Sequence, residues 1–337
     1  MKVAVKPRAR VAVIGTGGTF AMHGRGPFDW VEYGESGIVR PITELIQVLG
    51  SLDVGVEILP VPFRTLPSTG ITPEDWLGLA QLIACTAKED PSIDGFVVTH
   101  GTATLEETAW FLDLALPKTL NVVLTGAQRP ANTSGSDVQA NLRAALAVAG
   151  SSHGSGSGVT VVMNNTVFAA RDVTKSSSFD LAAFESPGYG PLAMVDANAH
   201  VHWRRRPSNS EHALALDIRA IEALPRVDVV MSYAGADGTM IDACVAAGAK
   251  GIVSAGLVPG RPANGEALAL RNAVQKGVVV VQASRGAKGF VAPQEFLKRD
   301  GIVAAGDLAP QKARVLLMLA LAAGAMPSQM QQIFLPE

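Results

Sequence analysis

Two threonine-bearing turns, a lysine and a tyrosine are the residues whose types and spacing point to chemistry. Thr16-Gly17-Gly18-Thr19 follows the apolar run Val11-Ala12-Val13-Ile14. Thr102 and Thr104 follow a second apolar run, Gly95-Phe96-Val97-Val98, in the stretch His100-Gly101-Thr102-Ala103-Thr104. Lys175 closes the polar strip Ala170-Arg171-Asp172-Val173-Thr174-Lys175, and Tyr33 lies in a glycine-bearing stretch after the first turn. A threonine in a turn is ordinarily only a backbone hydrogen-bonder. Two such turns at strand ends, together with a lysine, make a stronger case. A hydroxyl becomes a useful nucleophile once a base takes its proton, and a lysine whose pKa is depressed by desolvation can be that base. Backbone N–H groups at the same turns can hold a developing oxyanion. These residue types leave open which threonine attacks.

The alternatives are thin. The chain has no G-x-S-x-G elbow, no H-E-x-x-H and no Walker A. Thr16-Gly17-Gly18-Thr19 lacks the G-x-G-x-x-G spacing of a dinucleotide fold, and no helical pattern follows it directly. His100 has no serine or cysteine nucleophile beside it and reads as structural. No His, Asp or Glu cluster has metal-ligand spacing, so neither metal, NAD nor ATP is expected and no cofactor is implied. Cys85 and Cys244, the only cysteines, lie in helix-like Ala-rich segments and read as free, partly buried thiols. A net charge of −2 provides no field for nucleic acid or a membrane, and the short run Arg204-Arg205-Arg206 reads as a solvated loop. After a basic start, Met1 to Arg10, the run Val11–Ile14 is too short for a signal h-region. No stretch reaches the length of a membrane span. The expected location is cytoplasmic.

The elements that must hold these residues alternate. Val11–Gly15, Val54–Leu59, Gly95–Thr99, Val122–Thr125 and Val159–Met163 read as strands, the central ones apolar on both faces as in a parallel sheet. Pro41–Leu49, Thr72 to about Lys88 (Thr72 as N-cap, Pro73 at the first helical position) and about Ser136 to Ala149 read as helices, and another follows Thr104. His23–Gly34, glycine-rich with embedded aromatics, has a composition that fits a lid or equally a plain surface connector. Ser151–Gly158 reads as a flexible loop. From Arg204 to about Arg226 the composition turns polar, a linker with one helical turn. The pattern then restarts, with strands at Val227–Met231, Gly251–Val253 and Val278–Val281, and helices at Thr239–Ala247, Glu266–Gln275 and Pro310–Ala323. The expected architecture is α/β in two domains: 1–203, with a larger parallel-type sheet flanked by helices, and 227–337, smaller, joined by 204–226. With 48% hydrophobic and 17% charged residues among 337, both have ample material for a core.

Taken together, Thr16-Gly17-Gly18-Thr19, His100-Gly101-Thr102-x-Thr104-x-Glu106-Glu107-Thr108, Gly126-Ala127-Gln128-Arg129-Pro130, Ala170–Lys175 and Pro310-Gln311-Lys312-Ala313-Arg314-Val315-Leu316-Leu317 resemble, in order and spacing, the bacterial-type L-asparaginase/glutaminase family. The resemblance implies two α/β domains, a homotetramer of intimate dimers with active sites at the dimer interface, and amide hydrolysis through an acyl-enzyme without a cofactor. By position it implies Thr19 as nucleophile and Tyr33 as its activating partner. Lys175 would accept a proton, with Thr102 relaying it or positioning water. Ser68 would hold the substrate carboxylate, with Gly18, Thr69, Ala103 and Ala127 as the remaining substrate-binding positions.

Three of those positions depart from the family. Ala103 stands where an aspartate is usual, Thr69 where a glutamine is usual, and Val258-Pro259-Gly260 where a Gly-Asn-Gly turn is usual. In the family the aspartate and glutamine contact the substrate's α-ammonium, helped by a glutamate of the neighbouring subunit that falls here near Gln294-Glu295. A buried ammonium needs acceptors and an opposing charge. Losing one charged hydrogen bond costs roughly 1.5–3 kcal/mol. The expectation is a Thr-nucleophile hydrolase of a small carboxylate-bearing amide, either L-asparagine or an analogue without the α-amino group. An esterase or lactonase with the same machinery, and a non-catalytic small-acid-binding protein, are the competing functions; retention of Thr19, Tyr33, Thr102 and Lys175 argues against the last.

Overall fold

The computed structural model describes residues 9–151, 158–205 and 217–336. The chain divides into two compact units, Met1–Asn209 and Ser210–Glu337. Most of the expected loop Ser151–Gly158, Arg206 and much of the 204–226 linker lie outside the described residues. A single 3₁₀ turn, Ile218–Ala220, stands within the described part of that linker.

The first unit is built on a sheet whose middle is apolar on both faces. Its elements in chain order are β1 (Arg10–Gly17), α1 (Ile42–Leu49), β2 (Glu57–Leu66), α2 (Pro73–Glu89), β3 (Gly95–Thr99), α3 (Leu105–Ala115), β4 (Val122–Thr125), α4 (Val138–Ala149) and β5 (Val159–Met163). Five short strands follow: β6 (Thr166–Ala169), β7 (Thr174–Lys175), β8 (Phe184–Glu185), β9 (Ala193–Val195) and β10 (Val201–Trp203). The large sheet runs β10-β9-β6-β5-β4-β3-β1-β2. β2, β1, β3, β4 and β5 are mutually parallel. Every residue of β3, β4 and β5 is buried, as expected of strands covered on both sides. Val11, Val13, Val97 and Val123 share a core with Ile42 and Leu45 of α1 and Leu142 and Leu146 of α4.

The sheet is mostly parallel, as expected, with an antiparallel margin of β6, β9 and β10; β5–β6 and β9–β10 are joined by turns too short for a helical crossover. One expectation needs correction: strand β2 spans Glu57–Leu66 rather than Val54–Leu59. Pro60 and Pro62 lack an N–H for the ladder, but β2 is the sheet edge and, among the described residues, pairs with β1 alone, the position where a sheet tolerates proline.

β1 lies between β2 and β3, so the chain leaves the β1 and β3 C-ends in opposite directions. This is the topological switch point, where open α/β sheets form their ligand crevice. The turns after these two strands are Thr16–Thr19 and Gly101–Thr104.

The second unit contains β11 (Val227–Met231), α5 (Thr239–Ala246), β12 (Gly251–Gly256), α6 (Ala267–Gln275), β13 (Val279–Ser284), α7 (Glu295–Asp300), β14 (Val303–Ala304), α8 (Pro310–Ala322) and α9 (Pro327–Phe334). Its four strands are parallel in chain order. Among the described residues, no helix is long and apolar enough to cross a membrane.

Candidate active site

The strand ends meet where side chains are absent. Gly18 and Gly101 lie so close that a Cβ on Gly18 would stand 2.3 Å from Gly101 Cα. A Cβ on Gly101 would stand 2.2 Å from Ser68 Cβ. Three backbone segments, the ends of β1 and β3 and the 3₁₀ turn Ser68–Gly70, therefore close into one floor. Gly18 also has φ +68, a left-handed conformation that glycine adopts at little cost. Polar bonds fasten the floor: Gly18 N donates to Leu66 O (2.9 Å), Thr16 Oγ1 to Thr99 O (3.1 Å) and Thr104 Oγ1 to Ser68 O (2.8 Å).

On this floor two side-chain pairs form. Thr19 Oγ1 lies 2.6 Å from Tyr33 Oη. Lys175 Nζ donates to Thr102 Oγ1 at 2.8 Å. Thr19 and Thr102 are buried, 7% and 5% exposed. Half-burial pulls the Lys175 pKa below its ordinary value because desolvation penalises the ammonium. Ala127 is fully buried behind the site. Ser68 is half-buried, and Thr69 and Ala103 are exposed.

The loop carrying Tyr33 is docked. Its base is closed by the Met22–Val39 bridge, with Arg40 Nε donating to His23 Nε2 (2.8 Å). Gly24 and Asn132 exchange two hydrogen bonds, Gly24 N to Asn132 Oδ1 (2.8 Å) and Asn132 Nδ2 to Gly24 O (2.7 Å). Ser134 N donates to Pro27 O (2.7 Å), and the Arg129 guanidinium stacks over the Trp30 ring at 4.1 Å. The segment 129–134 thus latches the loop that delivers Tyr33 to Thr19.

Several residues in and beside the motifs support these pairs from behind. His100 is wholly buried: Nδ1 donates to Gly101 O (2.8 Å), Nε2 accepts from Thr108 Oγ1 (3.0 Å), and Thr108 accepts from Trp76 Nε1 (2.8 Å). Burial lowers the His100 pKa to about 4. The histidine is structural, as expected, and it fixes the carbonyl next to Thr102. Asp137 accepts from the backbone N–H groups of Gln128 (3.0 Å) and Arg129 (3.0 Å) and from Asn141 Nδ2 (2.9 Å). Asn141 also donates to Gly126 O (3.0 Å). Gln128, in the turn after β4, points its Oε1 at Lys175 Nζ (3.3 Å) and Thr102 Oγ1 (3.5 Å). Its Nε2 is buried without a hydrogen-bond partner, a loss worth about 1–3 kcal/mol.

Other expectations concern residues outside these two pairs. Cys85 is exposed, not partly buried, while Cys244 is partly buried; Cys85 lies on the outer side of α2. Arg205 is not simply solvated: it donates to Pro191 O (3.2 Å) and Gly190 O and lies 3.7 Å from Asp172. Val258–Gly260 and Gln294–Glu295 belong to the second unit. Gln294 accepts there from Arg261 (3.3 Å), and the Glu295 side chain is 94% exposed. Among the described residues no group of three or more His, Cys, Asp or Glu side chains is placed to hold a metal.

Fold and site together define a two-unit α/β protein whose polar cluster sits at the switch point of a largely parallel sheet. The model of the asparaginase N-terminal domain matches residues 10–209, and that of the glutaminase/asparaginase C-terminal domain matches 226–334. The chain belongs to the asparaginase family and is a hydrolase of that family. It is 38% identical over 328 residues to a probable periplasmic L-asparaginase of Haemophilus influenzae, covering 96% of this chain and 92% of the relative. It is 35% identical to L-asparaginase 2 of Escherichia coli, with the same two coverages. Among solved structures, a probable cytoplasmic L-asparaginase from Campylobacter jejuni superposes with a TM-score of 0.89 at 34% identity, covering 97% of this chain and 99% of that one.

Proposed function

We propose that this hydrolase acts by acyl transfer through Thr19 on a small amide that carries a carboxylate and lacks an α-ammonium. The observation that carries the reading is the pairing of two hydroxyls with two different proton acceptors at one switch point, Thr19 with Tyr33 at 2.6 Å and Thr102 with Lys175 at 2.8 Å. Thr19 Oγ attacks the amide carbonyl carbon while Tyr33 draws off its proton, and turn N–H groups hold the oxyanion. That proton is passed through Tyr33 to the amide nitrogen, the C–N bond breaks, ammonia leaves, and the acyl group remains as an ester on Thr19. A water held by Thr102 then attacks that ester, passing its proton toward neutral Lys175. The acid leaves and the Thr19 hydroxyl is restored.

Ser68 offers its hydroxyl to the substrate carboxylate at the edge of this floor. Ala103 and Thr69 supply no charge to an ammonium, which supports a substrate without one. The tetramer of intimate dimers belongs to the same proposal. Thr19→Ala is expected to abolish turnover of succinamic acid and to eliminate the acyl-protein mass seen when the wild type is quenched during turnover. Undiminished activity in Thr19→Ala would remove Thr19 as nucleophile.

A further inference from the structure

Lys175 has no carboxylate partner among the described ion pairs. Its Nζ reaches two oxygens instead, Thr102 Oγ1 at 2.8 Å and Gln128 Oε1 at 3.3 Å, and these oxygens are 3.5 Å from each other. Gln128 is placed for this contact from behind. Asp137 takes the N–H groups of Gln128 and Arg129, and Asn141 ties Gly126 O and Asp137 together. The backbone of the Gly126–Arg129 turn is thereby held on both sides. The amide side chain is oriented with its oxygen toward Lys175 although this leaves Nε2 buried and unpartnered. The reverse orientation would set an NH₂ group against the lysine and leave Oε1 at the buried end. The position that usually presents a carboxylate in the resembling family is Ala103, a methyl group.

We propose that Gln128 is a positioning residue of this site, whose Oε1 holds Lys175 Nζ on Thr102 Oγ1 as a neutral substitute for a carboxylate at position 103. The inference rests on the reading of Lys175 as proton acceptor. A carboxylate would position the lysine and also stabilise its charged form; an amide oxygen positions it with far less effect on its charge. The other titratable and charged groups on the packed elements are engaged elsewhere. Glu185, on the strand opposite Lys175, accepts from Ser176 Oγ (2.7 Å). Asp180 accepts from Ser177 Oγ (2.9 Å), Asp137 serves the turn backbone, Arg129 stacks on Trp30 and Tyr33 pairs with Thr19. The site therefore keeps its lysine aligned and readily neutral at once.

The test separates alignment from turnover. Acetic anhydride labelling of the Lys175 amine, followed by peptide mass spectrometry across pH on the folded full chain, reads its protonation without needing a substrate. Succinamic acid turnover reads catalysis. Gln128→Glu is expected to move the Lys175 labelling midpoint upward by about one pH unit or more, as an opposite charge at this range does, and to move the acid limb of kcat with it. Gln128→Met, similar in shape but without the acceptor, is expected to lower kcat about tenfold with KM nearly unchanged, the effect of one hydrogen bond to a charged group. Adding Ala103→Asp is expected to raise kcat more in the Gln128→Met background than in the wild type. A Lys175 midpoint that is the same in wild type, Gln128→Glu and Gln128→Met would overturn the proposal. A midpoint that moves while the kcat limb stays fixed would uphold the Gln128 contact and remove Lys175 as the proton acceptor.

Discussion

Ala103 and His100, three residues apart on one turn, show how differently single positions act in this site. On the proposed reading Ala103 acts by what it omits, while His100 bonds Gly101 O and Thr108, and through Thr108 is tied to Trp76, which fixes the turn on which Thr102 sits. The histidine also ties stability to pH. Its folded pKa of about 4 lies below its ordinary value near 6.5, so between these values the unfolded chain binds a proton that the folded one does not. The stabilisation is complete above about pH 6.5 and is lost as pH falls toward 4, by up to about 3 kcal/mol. Melting temperatures at pH 7 and pH 5 are expected to differ less in His100→Gln than in wild type; an equal difference would show that His100 does not titrate across folding. The role of His100 was legible from the lack of a nucleophile beside it. Its partners were not, because Thr108 and Trp76 reach it only through packing of α2 on α3.

At the scale of elements, two helix starts are bent to the needs of the site. Thr104 and Asp137 stand at the N-caps of α3 and α4, yet neither caps its own helix. Thr104 bonds to Ser68 O, and Asp137 to the N–H groups of Gln128 and Arg129. A cap contributes about 1 kcal/mol to its helix, and such departures from local preference concentrate at functional sites. By contrast α2, whose first residues make no bond to the site turns, has its full capping box between Thr72 and Asp75, and its start was legible in Thr72-Pro73.

The loop carrying Tyr33 was legible only as a composition. Its latch was hidden because Gly24 and Asn132 are 108 residues apart. Asn132→Ala removes both bonds of that exchange. It is expected to lower kcat/KM about tenfold, as for the loss of one or two hydrogen bonds, while the melting temperature changes little and trypsin cleaves faster at Arg25. Unchanged kcat/KM and cleavage would mean that other contacts hold the loop shut.

For the molecule as a whole, the buried parallel strands were readable nearly to the residue: β3, β4 and β5 start and end where the apolar runs do. The short antiparallel strands β6, β9 and β10 were not, since runs of three or four residues carry too little periodicity to separate strand from loop. The proposed catalytic positions rest on motif order. The Gln128 contact was not, because it depends on where the turn after β4 meets Lys175 on β7. Exposed Met231, Tyr233 and Met240 in the second unit and Tyr189 and Met194 in the first fit the proposed self-association. Light scattering is expected to give a dimer or tetramer at micromolar concentration, and a monomer would contradict a shared-site assembly.

On the proposed reading the site keeps its acyl-transfer groups and lacks the charges that would recognise an ammonium. The decisive measurement is kcat/KM for succinamic acid against L-asparagine, followed as ammonia release with the same enzyme preparation. At least about a tenfold preference for succinamic acid is expected, the worth of one lost charged hydrogen bond, with a reversal toward asparagine in the Ala103→Asp, Thr69→Gln variant. Efficient wild-type hydrolysis of asparagine at low concentration, with succinamic acid the poorer substrate, would contradict it.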